Sequence, residues 1–243
     1  MARRGRELPR FFTFGDRVPA VVGVLLSLML AATLLARFDR GLGELARLSP
    51  EAILRGEAWR LVTWPFVQGD ALDLIFVGFM FWWLGQQLAF AWSERRLLLR
   101  FLGFAVFPAI AKTLLYLAWE PAGLPHVGAW PVVNALLVSW AMLYPERQVN
   151  LYGVLPLTGR SMALLVTAGT ALFALFGGTL GIGAYTPHLF AVALAWALSR
   201  GRIGSPWRDA KQWWGERETR RRARHLKVVR KDTRDDDRPR WMN

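Results

Sequence analysis

The chain of 243 residues is 53% hydrophobic, holds 13 tryptophans and still carries a formal charge of +13. No one class of soluble domain accommodates both properties, so charge and apolar surface must be segregated along the chain. The absence of cysteine excludes disulfides, a thiolate nucleophile and cysteine metal sites.

Residues 1–17 hold five arginines against two acids and read as a basic cytoplasmic N-terminus. An uncharged apolar run, 18–36, follows between Arg17 and Arg37. A bilayer core about 30 Å thick takes roughly 20 apolar helical residues to cross, so this run is a predicted span. Its length and the lack of a small-residue cleavage pattern argue against a removable signal peptide. Residues 37–69 contain Arg37, Arg40, Arg47, Arg55 and Arg60, offset by Asp39, Glu44, Glu51 and Glu57. This loop is long and half apolar, which predicts a partly helical segment lying in the membrane interface. Further spans are predicted at 71–92, 100–118, 130–144, 161–178 and 185–199. Residues 18–199 thus form an all-α, polytopic membrane domain of six transmembrane helices. The basic "SERRLLLR" (93–100), "PERQ" (145–148) and Arg160 fall on the cytoplasmic side, whereas 119–129 has no Lys or Arg. The Gly-rich 177–184 loop then lies outside, and both termini lie inside, as expected for a protein of the plasma (cytoplasmic) membrane.

The tail, 200–243, carries fifteen Lys or Arg against seven Asp or Glu. Ser205 suits a helix cap and Pro206 a first turn, so a basic cytoplasmic helix is predicted to begin here. Trp207 and Trp214 share a face with Trp213 near it, and Arg220, Arg221 and Arg222 follow. Such aromatics settle among headgroups and such arginines meet anionic lipid, which makes membrane lipid the expected partner of the tail and disfavours nucleic acid. The final "DTRDDDRPRWMN" is predicted to be disordered.

Polar residues inside spans are costly, and therefore informative. They are Asp73, Gln86, Gln87, Lys112, Asn134 and His188. Lys112 is expected to pair or to snorkel. Asn134 and His188 stand near the outer ends of their helices, which allows them to approach each other. The three histidines, His126, His188 and His225, are too scattered to suggest a ligand cluster, and no phosphate loop or zinc-binding helix motif is present. Neither a metal nor a cofactor is expected.

Three stretches carry a family likeness: "GEAWRLVTWPFVQGDALDLIFVGFMFWWLGQQL" (56–88), "GAWPVVNALLVSWAMLYPER" (128–147) and "TPHLFAVALAWAL" (186–198). In this order, with Trp59–Arg60 just before the second span, they resemble the rhomboid intramembrane serine proteases. The resemblance implies a six-span rhomboid-like bundle and permits a residue-by-residue test of its chemistry. Where the family has Gly-x-Ser-Gly, this chain has Gly128, Ala129, Trp130 and Pro131. An indole is a donor without an ionisable hydroxyl and forms no acyl intermediate, and Pro131 lacks the N–H that would follow the serine. Asp73 and Val77 align with the family's oxyanion-holding histidine and asparagine, where a carboxylate repels and a valine offers nothing. His188 aligns with the general base, and Ala191 and Ala195 with packing glycines. Ser139, Ser161 and Thr186 are poorly placed to substitute for the nucleophile.

The resemblance therefore implies a pseudoprotease with no catalytic residues. Inactive members of the family, the derlins and iRhoms, look like binders of other membrane segments, and a similar handling of transmembrane clients is the expected function. Trp59, Arg60 and Asn134 are the candidate partner-binding residues, with the second and fifth spans as contact surfaces. A purely structural role competes for Trp59 and Arg60, as an interfacial indole and a guanidinium satisfying loop carbonyls. Two alternatives stay open: an endopeptidase with an unrecognised nucleophile, and a small-solute transporter using Lys112, Asp73 and His188.

Overall fold

The computed structural model of the chain describes residues 18–151 and 155–199. The basic N-terminus, and the tail with Trp207, Trp213, Trp214, Arg220, Arg221 and Arg222, lie outside the described residues. Within them the protein is almost entirely helical. The helices are α1 (Ala20–Phe38), α2 (Arg40–Ala46), α3 (Pro50–Leu54), α4 (Arg60–Thr63), α5 (Ala71–Trp92), α6 (Glu94–Tyr116), α7 (Trp130–Leu143), α8 (Gly159–Phe176) and α9 (Gly178–Ser199). Five of them, α1, α5, α6, α8 and α9, are long and apolar enough to cross a membrane. The sixth predicted span, α7, has 14 residues. At 1.5 Å per residue it measures about 21 Å, shorter than a hydrocarbon core of about 30 Å.

Burial accounts for that shortness. Every residue of α7 except Trp130, Asn134 and Leu143 is buried. Helices α5, α6, α8 and α9 all pack against it, α9 most extensively. A helix shielded by protein has no need to match the bilayer, because its neighbours do so. Around it α5 packs on α6, α6 on α9, and α9 on α8, but α5 and α8 scarcely touch each other. Small residues permit the close approaches. Ala191 and Ala195 are fully buried in α9, and a Cβ at Gly85 would lie 2.9 Å from the Val22 side chain, which sets α1 tightly on α5.

The first loop is helical and closely wired. Asp39 accepts a hydrogen bond from Gly41 N at 2.7 Å and Ser49 caps α3 ahead of Pro50. Arg60 is buried, ion-paired with Glu57 at 2.6 Å, and donates to the carbonyls of Glu44 and Arg47. Trp64 is fully buried and its indole N–H donates to Ala105 O at 3.3 Å, which pins the loop to α6. Within α2, Leu42 and Leu45 are exposed three residues apart, on one face of the helix.

Three boundaries differ from the sequence reading. The 93–100 connection is not a loop: one residue, Ser93 with φ 81°, joins α5 to α6, and the arginines belong to the first turns of α6. The 177–184 loop is likewise absent, because α9 begins at Gly178 directly after Gly177. Glycine makes that turn: Gly178 has φ 61°, and a Cβ at Gly181 would lie 2.7 Å from Ala174 O. Finally, Gln148–Leu151 and Leu155–Thr158 pair as an antiparallel hairpin, with Gln148 opposite Thr158. Strands of four residues are too short to leave a periodic signal.

Candidate functional site

Polar groups gather where the N-terminal end of α7 meets α6, α9 and the 119–129 connection. The first element of the site is a proline. Pro187 lies inside α9 and has no N–H, so the carbonyl four residues back, on Gly183, loses its helical donor. Within a membrane such a carbonyl must be satisfied locally. Lys112 of α6 supplies the replacement, its Nζ donating to Gly183 O at 2.7 Å and to Thr186 Oγ1 at 3.1 Å. Thr186 Oγ1 also donates to Gly183 O, at 2.8 Å. Lys112 is fully buried and makes no ion pair among the described residues. It neither pairs with a carboxylate nor snorkels, contrary to expectation, because the broken helix offers it a carbonyl.

One residue beyond the proline stands His188, whose Nδ1 lies 3.3 Å from Asn134 Nδ2 on α7. Its ring also sits 5.0 Å from that of Tyr185 and 5.4 Å, edge to face, from that of His126. The sequence separates these two histidines by two whole spans, α7 and α8, and the hairpin between them, which is why no ligand cluster was legible. His126 is placed by its backbone, which exchanges hydrogen bonds with Leu48 at 2.9 Å in both directions, and by the Trp64 ring at 5.4 Å. Its Nε2 is sealed off with no partner. Burial, with smaller contributions from His188 and Lys112, holds the His126 imidazole down to about 3. The ring is therefore neutral at physiological pH. Two histidines and an amide do not form a metal cage, and no group of three or more His, Cys, Asp or Glu gathers among the described residues.

A second connection ties α7 to α5. Trp130 donates its indole N–H to Asp73 Oδ1 at 3.0 Å, while Asp70 caps α5 by accepting from Asp73 N at 2.8 Å. Gln68 reaches the start of α7 as well: its Oε1 accepts from Ala129 N at 3.0 Å, just after Gly128 turns with φ 102°. Trp130 and Asn134 are four residues apart on one face of α7 and are its accessible positions at this end. Val77 is fully buried and adds no polar group.

The remaining sequence candidates divide. Arg60 is committed inside the first loop, whereas Trp59 is half exposed and donates to Leu45 O at 3.2 Å. Ser161 Oγ is taken up by Thr158 O at 2.9 Å, Thr186 serves Gly183, and Ser139 Oγ is buried without a partner. None of these hydroxyls is hydrogen-bonded to a histidine, so no nucleophile–base pair is assembled among the described residues.

Residues 17–200 match a family model described as "Eukaryotic integral membrane protein (DUF1751)". No curated protein matches the chain. The family match overturns the expected rhomboid membership. Six apolar helices, basic loops and an interfacial Trp-Arg pair answer to the bilayer itself, so unrelated membrane bundles share them. The residues at 130, 73 and 77 had all departed from the rhomboid pattern.

Proposed function

The chain belongs to this eukaryotic integral membrane protein family, and on that premise we propose that it is a non-catalytic protein that binds transmembrane segments of other membrane proteins. One observation supports the reading above others. Helices α5 and α8 both pack on α7 yet scarcely on each other, and the boundary between them is the proposed entry for a segment from the lipid. The accessible residues at the N-terminal end of α7, Trp130 and Asn134, are hydrogen-bonding groups, and they are the proposed contacts of such a segment. A lipid chain needs no such groups, whereas a protein helix carrying a polar residue does. The reading places both termini on the cytoplasmic side, from the positions of the basic residues. A conduit for solute is less favoured, since Asp73 bonds to Trp130, Lys112 to α9 and His188 to Asn134, in three separate attachments.

A photoreactive amino acid at position 130, activated in native membranes, tests the proposal. Adducts with membrane-spanning proteins, diminished when Asn134 is replaced by Trp to obstruct that entry, are expected. Adducts with lipid alone, or solute flux through liposomes containing the purified protein, would overturn it.

A further inference from the structure

Resting on the reading of this region as a site for transmembrane segments, we infer that the Asn134–His188 pair selects segments that carry a side-chain carboxamide. The two side chains share one hydrogen bond, between Asn134 Nδ2 and His188 Nδ1 at 3.3 Å. Among the described residues Asn134 Oδ1 and His188 Nε2 have no partner, and neither is among the sealed, unpartnered atoms. If the amide donates to Nδ1, the neutral ring carries its proton on Nε2, and the pair presents a carbonyl acceptor and an N–H donor. With the amide turned over, the ring donates from Nδ1, and the pair presents an amide N–H donor and a ring acceptor. Either arrangement leaves one donor and one acceptor open, which a carboxamide answers with its own carbonyl and N–H.

The surroundings favour a neutral ligand of this kind. Lys112 is turned to Gly183 and Thr186, and the Asp73 carboxylate to Trp130, so neither full charge is hydrogen-bonded to the pair. His126, packed on His188 edge to face, is neutral. Asn134 lies one turn into α7, so a client side chain reaching it sits level with the first turn of that helix, within the membrane domain. There an Asn or Gln of an isolated helix lacks water, and a two-point partner gives it reason to bind.

The full-length protein in liposomes, with donor-labelled single-span Leu-rich peptides, provides the test by energy transfer. One peptide carries Gln about one turn from the end that lies level with the α7 N-terminus, a second has Leu there, and a third has the glutamate γ-methyl ester, which keeps the carbonyl and loses the N–H. The Gln peptide is expected to bind about fivefold more tightly than the Leu peptide, with the ester between them. Asn134→Leu and His188→Leu are expected to erase that preference, so that each variant binds the Gln and Leu peptides equally. Equal binding of the three peptides to the unaltered protein, or a preference that survives both substitutions, would overturn the inference and leave the broader reading intact. Binding of no peptide above a lipid-only control would overturn both.

Discussion

His126 concentrates the problem of a polar residue in an apolar setting. It belongs to a connection between spans, yet its Nε2 is sealed off and the ring wedges between Trp64 and His188. A histidine titrating near 6.5 in the unfolded chain and at about 3 in the fold makes stability depend on pH with a definite sign. Above about 6.5 both states are neutral and the group imposes no penalty. As pH falls below that value, the unfolded chain takes up a proton that the folded chain refuses, at about 1.4 kcal/mol per pH unit. Unfolding followed in detergent should therefore show a loss of about 2 kcal/mol between pH 7 and pH 5 that His126→Phe removes. An identical pH dependence in both proteins would show that the ring is free to charge in the folded state. Asn134 and Trp130 illustrate the opposite case, polar groups held at accessible positions by partners from other helices rather than sealed away.

At the scale of the element, α9 is shaped by what one proline removes. Pro187 frees the Gly183 carbonyl, and Lys112, an otherwise expensive buried cation, becomes its donor. The two residues should therefore be energetically coupled. Lys112→Met leaves the carbonyl with Thr186 alone and should destabilise the protein by about 1–3 kcal/mol. Pro187→Ala restores a backbone N–H able to reach Gly183 O, so the same lysine substitution should cost about 1 kcal/mol less in that background. Additive effects in this double-mutant cycle would mean that Lys112 serves some other group. Helix α7 is likewise explained by neighbours. Fourteen residues are too few to match a bilayer alone, and burial by four surrounding helices relieves them of doing so.

For the whole molecule, the consequence of that arrangement is topological. If α7 crosses, Pro125 and Glu146, exposed on either side of it, lie on opposite faces of the membrane. The natural chain has no cysteine, so Pro125→Cys and Glu146→Cys give clean reporters. A membrane-impermeant maleimide should modify each from a different side, and modification of both from the same side would rule out a crossing α7. Helix existence was legible in the sequence because a bilayer demands long uncharged runs, and the partly helical character of 37–69 was legible because its charges alternate with apolar residues. The turns at Ser93 and Gly177 were not, since tight joins between helices leave no loop-like composition. Family membership was misread for a related reason: features imposed by the bilayer carried the resemblance, while positions 130, 73 and 77 already departed from the rhomboid pattern. The sequence by itself determined an all-α membrane bundle, because hydrophobicity acts locally along the chain. Only the tertiary structure decided that Lys112 would serve a proline-broken helix, that His126 would meet His188, and that α5 and α8 would stand apart. Those outcomes depend on which helix faces are brought together across the chain, and no local pattern of residues encodes that.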